Sequence, residues 1–311
     1  MKTCRASFDG TFDPTGYLFS FVKSLCAMLR SGPYAERADD VIAASGFAFR
    51  MWVSPDLCPS ATSIWDFSLQ ERALTAAGLD VTYTERLWGQ DSIAAERQAL
   101  AIDRIRESID RGVPAVSWDI GVCEWGLITG YDDETRTFAI LPVTGQSGTM
   151  AYDTLGVREL PILNVVTVTG ARELSEAEIV RVAMQNAVCH LRGREWCDNA
   201  KGLAAYPALY GHLTDPADEL GASWNMTYFL GTYAPLKWYA WQFFERHELS
   251  SLATLYKSVW ECWNKAFRMK NESDMTKAEN RQAVAGLLEA AEKAETEAVG
   301  MMEELLPGDP A

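Results

Sequence analysis

Near Gly170–Ala171 the 311-residue sequence changes character. Before that point short β-type runs alternate with helical patterns; after it the apolar spacing is almost purely helical. A chain patterned this way predicts an α+β domain at about residues 1–170, helices first and then a mainly antiparallel sheet. An all-α helical domain follows at about 171–306, and residues 307–311 read as a frayed tail. With 48% hydrophobic and 23% charged residues, the chain has enough apolar material for a sizeable core, which excludes disorder over most of its length.

In TFDPTGYLFSFVKSLCAMLR, Asp13 reads as an N-cap and Pro14 as the first helical residue. Leu18, Phe21, Val22, Leu25, Met28 and Leu29 then recur on one face until Gly32-Pro33. A second helix is expected over Glu36–Ala44 and a strand over Phe47–Val53. Next come a helix at Asp66–Ala77, a strand at Leu79–Tyr83 and a long helix at Ser92–Asp110. Pro114–Trp118, Trp125–Tyr131, Thr137–Leu141 and Leu163–Thr169 read as strands, with Asp132-Asp133-Glu134 turning a hairpin. Ser175-x-x-Glu178 is a capping box opening the helical half. Helices then cover about Ala200–Leu213, Ser223–His247, Leu249–Met269 and Thr276–Leu305, and Pro235 should kink or divide its helix.

Charge narrows the partners. Lys and Arg number 28 against 43 Asp and Glu, a net charge of -15, so phosphate backbones and anionic membrane surfaces would be repelled. Neither nucleic acid nor membrane is an expected partner. No apolar run reaches the ~18 residues of a membrane helix, and MKTCRASFDG has no signal core, so the expected location is cytoplasmic. Seven scattered cysteines then read as free, mostly buried thiols. No phosphate loop, dinucleotide fingerprint, nucleophile elbow or HExxH motif appears, and no cofactor is expected. Cys189, His190 and Cys197 lack zinc-ligand spacing, and adjacent helical residues point ~100° apart, so no metal is expected either.

The segment Arg111–Leu141, RGVPAVSWDIGVCEWGLITGYDDETRTFAIL, runs from a helix end through a Pro-Ala-Val strand into a strand ending Gly-Tyr-Asp-Asp. This arrangement resembles the papain-like fold of the bacteriocin-processing cysteine peptidases. More closely it resembles the N-terminal domain of butirosin biosynthesis protein H and its bacterial relatives, in which such a domain precedes a helical region. GFAFRMW at Gly46–Trp52 is similar to an aromatic strand of those relatives. The resemblance covers about residues 5–170, and the helical half resembles the relatives in layout only.

The resemblance implies a Cys nucleophile at the start of the first helix, a His base on the central strand and an orienting Asp or Asn on the next. It also implies acyl transfer from a carrier-protein thioester to an amine. Carried over by position, the nucleophile slot falls at Thr15 or a neighbour, while Cys26 lies about three turns further in; Thr15 and Tyr17 are expected as ligand-binding residues. Glu124-Trp125 occupies the base slot, the stretch Ile140–Pro142 carries no carboxylate or amide, and no His precedes His190. The Cys–His peptidase site is therefore read as absent.

Glu124 and Trp125 could form a carboxylate and aromatic wall for a cationic or planar ligand; alternatively Trp125 fills the lost imidazole's space while Glu124 meets solvent. Cys58 and Cys123 are either relocated nucleophiles, with Glu124 as base, or inert thiols. Arg50 must pair with a carboxylate or reach an anionic ligand, and Tyr131 and Asp132 either close a hairpin or touch a ligand. The aromatic residues around Trp224–Trp263, with Asn225 and Lys237, form a core, a ligand groove or a homodimer surface. The expected function is that of a non-proteolytic, catalytically degenerate relative that binds a small molecule or peptide, a biosynthetic pathway being one setting for it. The alternatives are an acyltransferase served by an acyl carrier protein and a structural or scaffold subunit.

Overall fold

The computed structural model describes residues 1–63, 65–215 and 217–306; the expected frayed tail at 307–311 lies outside them. In chain order the elements are β1 (Lys2–Thr3), α1 (Ser20–Ser31), α2 (Ala38–Ala44), β2 (Trp52–Val53), α3 (Leu69–Ala76), β3 (Leu79–Arg86) and α4 (Ala94–Asp110). They continue with β4 (Ala115–Ser117), β5 (Gly126–Asp132), β6 (Thr137–Leu141), β7 (Gly148–Ala151), β8 (Leu163–Ala171) and α5 (Glu176–Leu191). β9 (Ala200–Lys201), α6 (Ala205–Thr214), α7 (Trp224–Arg246), α8 (Ser250–Glu272) and α9 (Ala278–Leu305) complete the chain. Mixed helix and antiparallel sheet with a helical C-terminal part makes the class α+β.

The chain divides into two compact units. One comprises Met1–Thr11, Ser20–Val41 and Phe67–Glu173; the other comprises Phe12–Phe19, Ile42–Asp66 and Leu174–Ala311. In the first, the antiparallel strands run in the order β3-β8-β4-β5-β6-β7, with β1 also paired to β5. Val116 sits opposite both Leu127 and Val166, placing β4 at the centre. Ala101, Ile105 and Ile109 of α4 share an apolar core with Ile128, Phe138, Tyr152 and Val165 of the sheet region. The same unit holds α1, whose Phe21, Val22, Leu25, Met28 and Leu29 are fully buried.

In the second unit α7 packs on α8, and α8 on α9. Phe229, Leu230, Tyr233, Leu236, Phe243 and Phe244 bury α7 on most sides, as its broad aromatic pattern requires. Inside this bundle the Lys237 ammonium donates to both carboxylate oxygens of Glu295 at 2.8 and 3.0 Å, and Tyr206 donates to the same carboxylate at 2.7 Å. Lys237 is thus matched within the core. No described helix is long and apolar enough to cross a membrane.

Four local expectations need correction, the first at Ala200–Lys201, which pair with β2 as strand β9 so that the helix expected from Ala200 begins at Ala205. The first helix starts at Ser20, not at Pro14 with Asp13 as its cap: Gly16 takes a left-handed φ of +77°, which ends any helix begun at Pro14. The Asp13 carboxylate instead accepts from the Leu18 amide at 3.0 Å and closes a turn. Of the expected strand Phe47–Val53, only Trp52–Val53 is extended, because Ala48 and Phe49 donate to Ile42 and Gly46 in turns. Pro235 does not divide its helix, since α7 runs unbroken through it. The capping box at Ser175 and Glu178 is present in full.

Candidate functional site

Ser20 opens α1, and the loop between β4 and β5 carries Trp118 through Trp125. A helix start leaves backbone N–H groups unpaired and presents the positive end of the macrodipole, a setting that favours an anion. Glu124 supplies one. Its carboxylate accepts the Ser20 hydroxyl at 2.5 Å, in the range of charge-assisted O–H···O⁻ bonds. The loop aims it through two backbone bonds, Ile120 N–H to Glu124 C=O at 3.2 Å and Glu124 N–H to Val122 C=O at 2.7 Å.

Behind this pair the loop is fixed by apolar packing. Trp125 is fully buried against Phe21, Phe67 and Trp118, with ring centroids 5.7, 5.8 and 4.6 Å away. Its indole donates to Asn164 at 3.3 Å, and Asn164 donates to Gln70 at 2.9 Å. Trp125 is therefore a core residue, while Glu124, one position earlier, is half-buried.

Asp119, in the same loop, adopts φ +58°, rare for a residue with a Cβ, and is 3% exposed. Neither carboxylate oxygen accepts a hydrogen bond among the described residues. Arg158 stands 3.6 Å away but donates to the Asp119 backbone carbonyl. Burial pushes the Asp119 carboxyl up, Arg158 opposing it and Glu159 adding to it. Partial burial, then the carboxylates of Asp119 and Glu159, push the neighbouring Cys123 thiol up as well. An acid-rich neighbourhood with a protonated thiol does not make a thiolate nucleophile.

The other expected site residues are distributed as follows. The Cys58 sulfur meets the Ser60 hydroxyl at 3.0 Å. Tyr131 and Asp132 sit at the opposite end of β5 from Trp125, about 20 Å along the strand. There the Tyr131 hydroxyl donates to Asp110 at 2.7 Å, and Asp132 accepts the Glu134 amide at 3.0 Å to close the hairpin. Thr15, Tyr17, Arg50 and Cys58 all belong to the second unit. Thr15 donates to the Gly231 carbonyl at 2.7 Å, and Tyr17 packs edge-on against Trp224 and Tyr228.

Arg50 is fully engaged inside that unit. Its Nε and Nη2 grip the Glu195 carboxylate at 3.0 and 2.7 Å, and its ring neighbour is Phe47. Burial alone would raise the Glu195 carboxyl, but Arg50 and His190 hold it well below the usual carboxylate range. His190 Nδ1 lies 2.7 Å from Glu195, while Nε2 accepts the Met51 and Gly202 amides at 2.9 and 3.2 Å. That pattern demands a neutral imidazole, and burial pushes its pKa down despite Glu195. His212 and His247 likewise pair with Asp218 and Glu176. Burial raises Cys4, Cys26, Cys197 and Cys262. Among the described residues no group of three or more His, Cys, Asp or Glu could hold a metal ion.

Glu124 is among the residues expected from the sequence, whereas its partner Ser20 is not. The signal was the Gly16 break followed by Ser20 at the head of FVKSLC, but a helix start drawn at Pro14 hid it. The chain matches no family model and no curated protein.

Proposed function

We propose that the protein is a non-proteolytic ligand binder with a papain-like, catalytically degenerate first unit. Its site takes a small molecule or peptide bearing a cationic group at the head of α1. The observation that carries this reading is the Ser20–Glu124 pair, a half-buried carboxylate oriented by a hydroxyl where a base would be needed. Asp119 and Glu159 add negative charge around Cys123 that Arg158 opposes, which favours an ammonium over an anion. In this reading the protein works in the cytoplasm.

A second reading, acyl transfer, is favoured by the same hydrogen bond. Ser20 would attack a thioester carbonyl, its proton passing to Glu124 as the thiolate leaves, and an amine would then take the acyl group. Melting curves with a panel of amines and short basic peptides test the first reading. The expected result is an upward shift for wild type that disappears in Glu124→Gln, without consumption of S-acetyl-N-acetylcysteamine above the buffer rate. Thioester turnover with an acetyl group on Ser20, lost in Ser20→Ala, would replace the binder with the acyltransferase.

A further inference from the structure

A second group of residues, all in the unit that holds α7 and α8, has the chemistry of another ligand site. Trp224, the first residue of α7, is 56% exposed, although an indole of that size is ordinarily buried. It does not stand alone. Tyr228, one turn on, lies 5.4 Å from it between ring centroids, and Tyr17 stands at 6.3 Å from Trp224 and 6.1 Å from Tyr228. The Trp224 indole donates to the Tyr17 hydroxyl at 3.3 Å, and Tyr228 shares a 3.1 Å hydrogen bond with Thr62. Gly231 lets the Tyr17 chain close on α7: a Cβ there would meet Tyr17 and Phe267 at 2.9 Å. The rings therefore form a preorganised platform with an open indole face.

Beside Tyr228, Thr227 receives Lys270 of α8. This lysine is 7% exposed, and its Nζ donates to the Thr227 hydroxyl at 3.2 Å. Thr227 in turn donates to Asn271 at 2.9 Å. No carboxylate among the described residues pairs with Lys270, whereas Lys237 in the same bundle has Glu295 at 2.8 Å. In a chain with 43 acidic residues, the absence of a counter-ion at a nearly buried ammonium calls for an explanation. Burial pushes the Lys270 pKa down, as expected of an ammonium left without its anion. The adjoining start of α7 adds the positive end of a 23-residue helix.

We infer that this end of the bundle binds a small molecule combining a flat ring with a carboxylate. The ring lies on Trp224 and Tyr228, and the carboxylate pairs with Lys270. The ligand supplies the missing counter-ion and covers the exposed indole.

Isothermal titration calorimetry of the full chain with 2-naphthoate and its neutral counterpart 2-naphthamide tests this inference. The acid should bind wild type at least tenfold more tightly than the amide. Lys270→Met should erase that preference while leaving amide binding in place, and Trp224→Ala should weaken both compounds at least fivefold. Trp224 is exposed, so its replacement leaves the core intact and keeps the test decisive if Lys270→Met does not fold. Failure of 2-naphthoate to bind at millimolar concentration, an acid preference surviving in Lys270→Met, or unchanged affinities in Trp224→Ala would each overturn the site.

Discussion

At Asp119 a left-handed backbone coincides with a nearly buried carboxylate whose oxygens accept no hydrogen bond among the described residues. Its folded pKa is raised above the ~3.9 of an unfolded chain, so between those two values the native state holds the extra proton. Stability therefore falls as pH rises through that window, and at neutral pH the charged group is a net burden. Asparagine tolerates the same backbone region and carries no charge. Asp119→Asn should stabilise the protein at pH 7 by about 1 kcal/mol, or about 2–4 °C, with the gain vanishing near pH ~3. Thermal unfolding of both proteins at the two pH values checks this, and an equal shift at both would remove the titration argument. The single-residue scale is also where sequence reading fell short. Glu124 stood out because the family resemblance puts a base slot just before GLITGYDD, whereas Ser20 depended on where a helix begins, which one left-handed glycine moved.

Among the elements, α7 shows how a sequence signal can be read correctly and still mispredict its effect. Pro235 has no N–H to give to the carbonyl four residues earlier, that of Gly231. The helix nevertheless continues, and the Gly231 carbonyl accepts the Thr15 hydroxyl at 2.7 Å. Thr15, expected as a ligand residue, thus occupies the position of the hydrogen bond that proline removes. Thr15→Val should lower stability by about 1 kcal/mol, Thr15→Ser should restore it, and in a Pro235→Ala background the loss should shrink because the new amide reaches Gly231. Melting points of these variants, alone and combined, decide it; an undiminished loss in the Pro235→Ala background would sink the coupling. The long amphipathic and aromatic helices were legible because their apolar spacing repeats over several turns. β7 was not: Gly148-Thr-Met-Ala has no strand signature of its own and is held by pairing with β6.

For the whole molecule, the composition break at Gly170–Ala171 suggests two pieces separable at that point, but the packing does not follow the chain. Phe12–Phe19 and Ile42–Asp66 belong to the unit that contains the C-terminal helices. They supply Phe19, Phe47, Phe49, Trp52 and Trp65, all at most 4% exposed. Phe49 packs 5.4 Å from Tyr256 and 5.9 Å from Phe244, and the Tyr233 hydroxyl donates to the Trp52 carbonyl at 2.6 Å. Arg50 fills the acidic hollow at Glu195, and without it the Glu195–His190 pair keeps a buried carboxylate with no cation. Several large aromatic side chains and one buried charge pair are more than a marginally stable unit can lose. A fragment of residues 171–306 should therefore melt without a cooperative transition and bind a hydrophobic dye, although every one of its helices has a strong sequence signal. Cooperative unfolding of that fragment, with helical circular dichroism matching its share of the full chain, would mean that the N-terminal segments only decorate a bundle that folds alone.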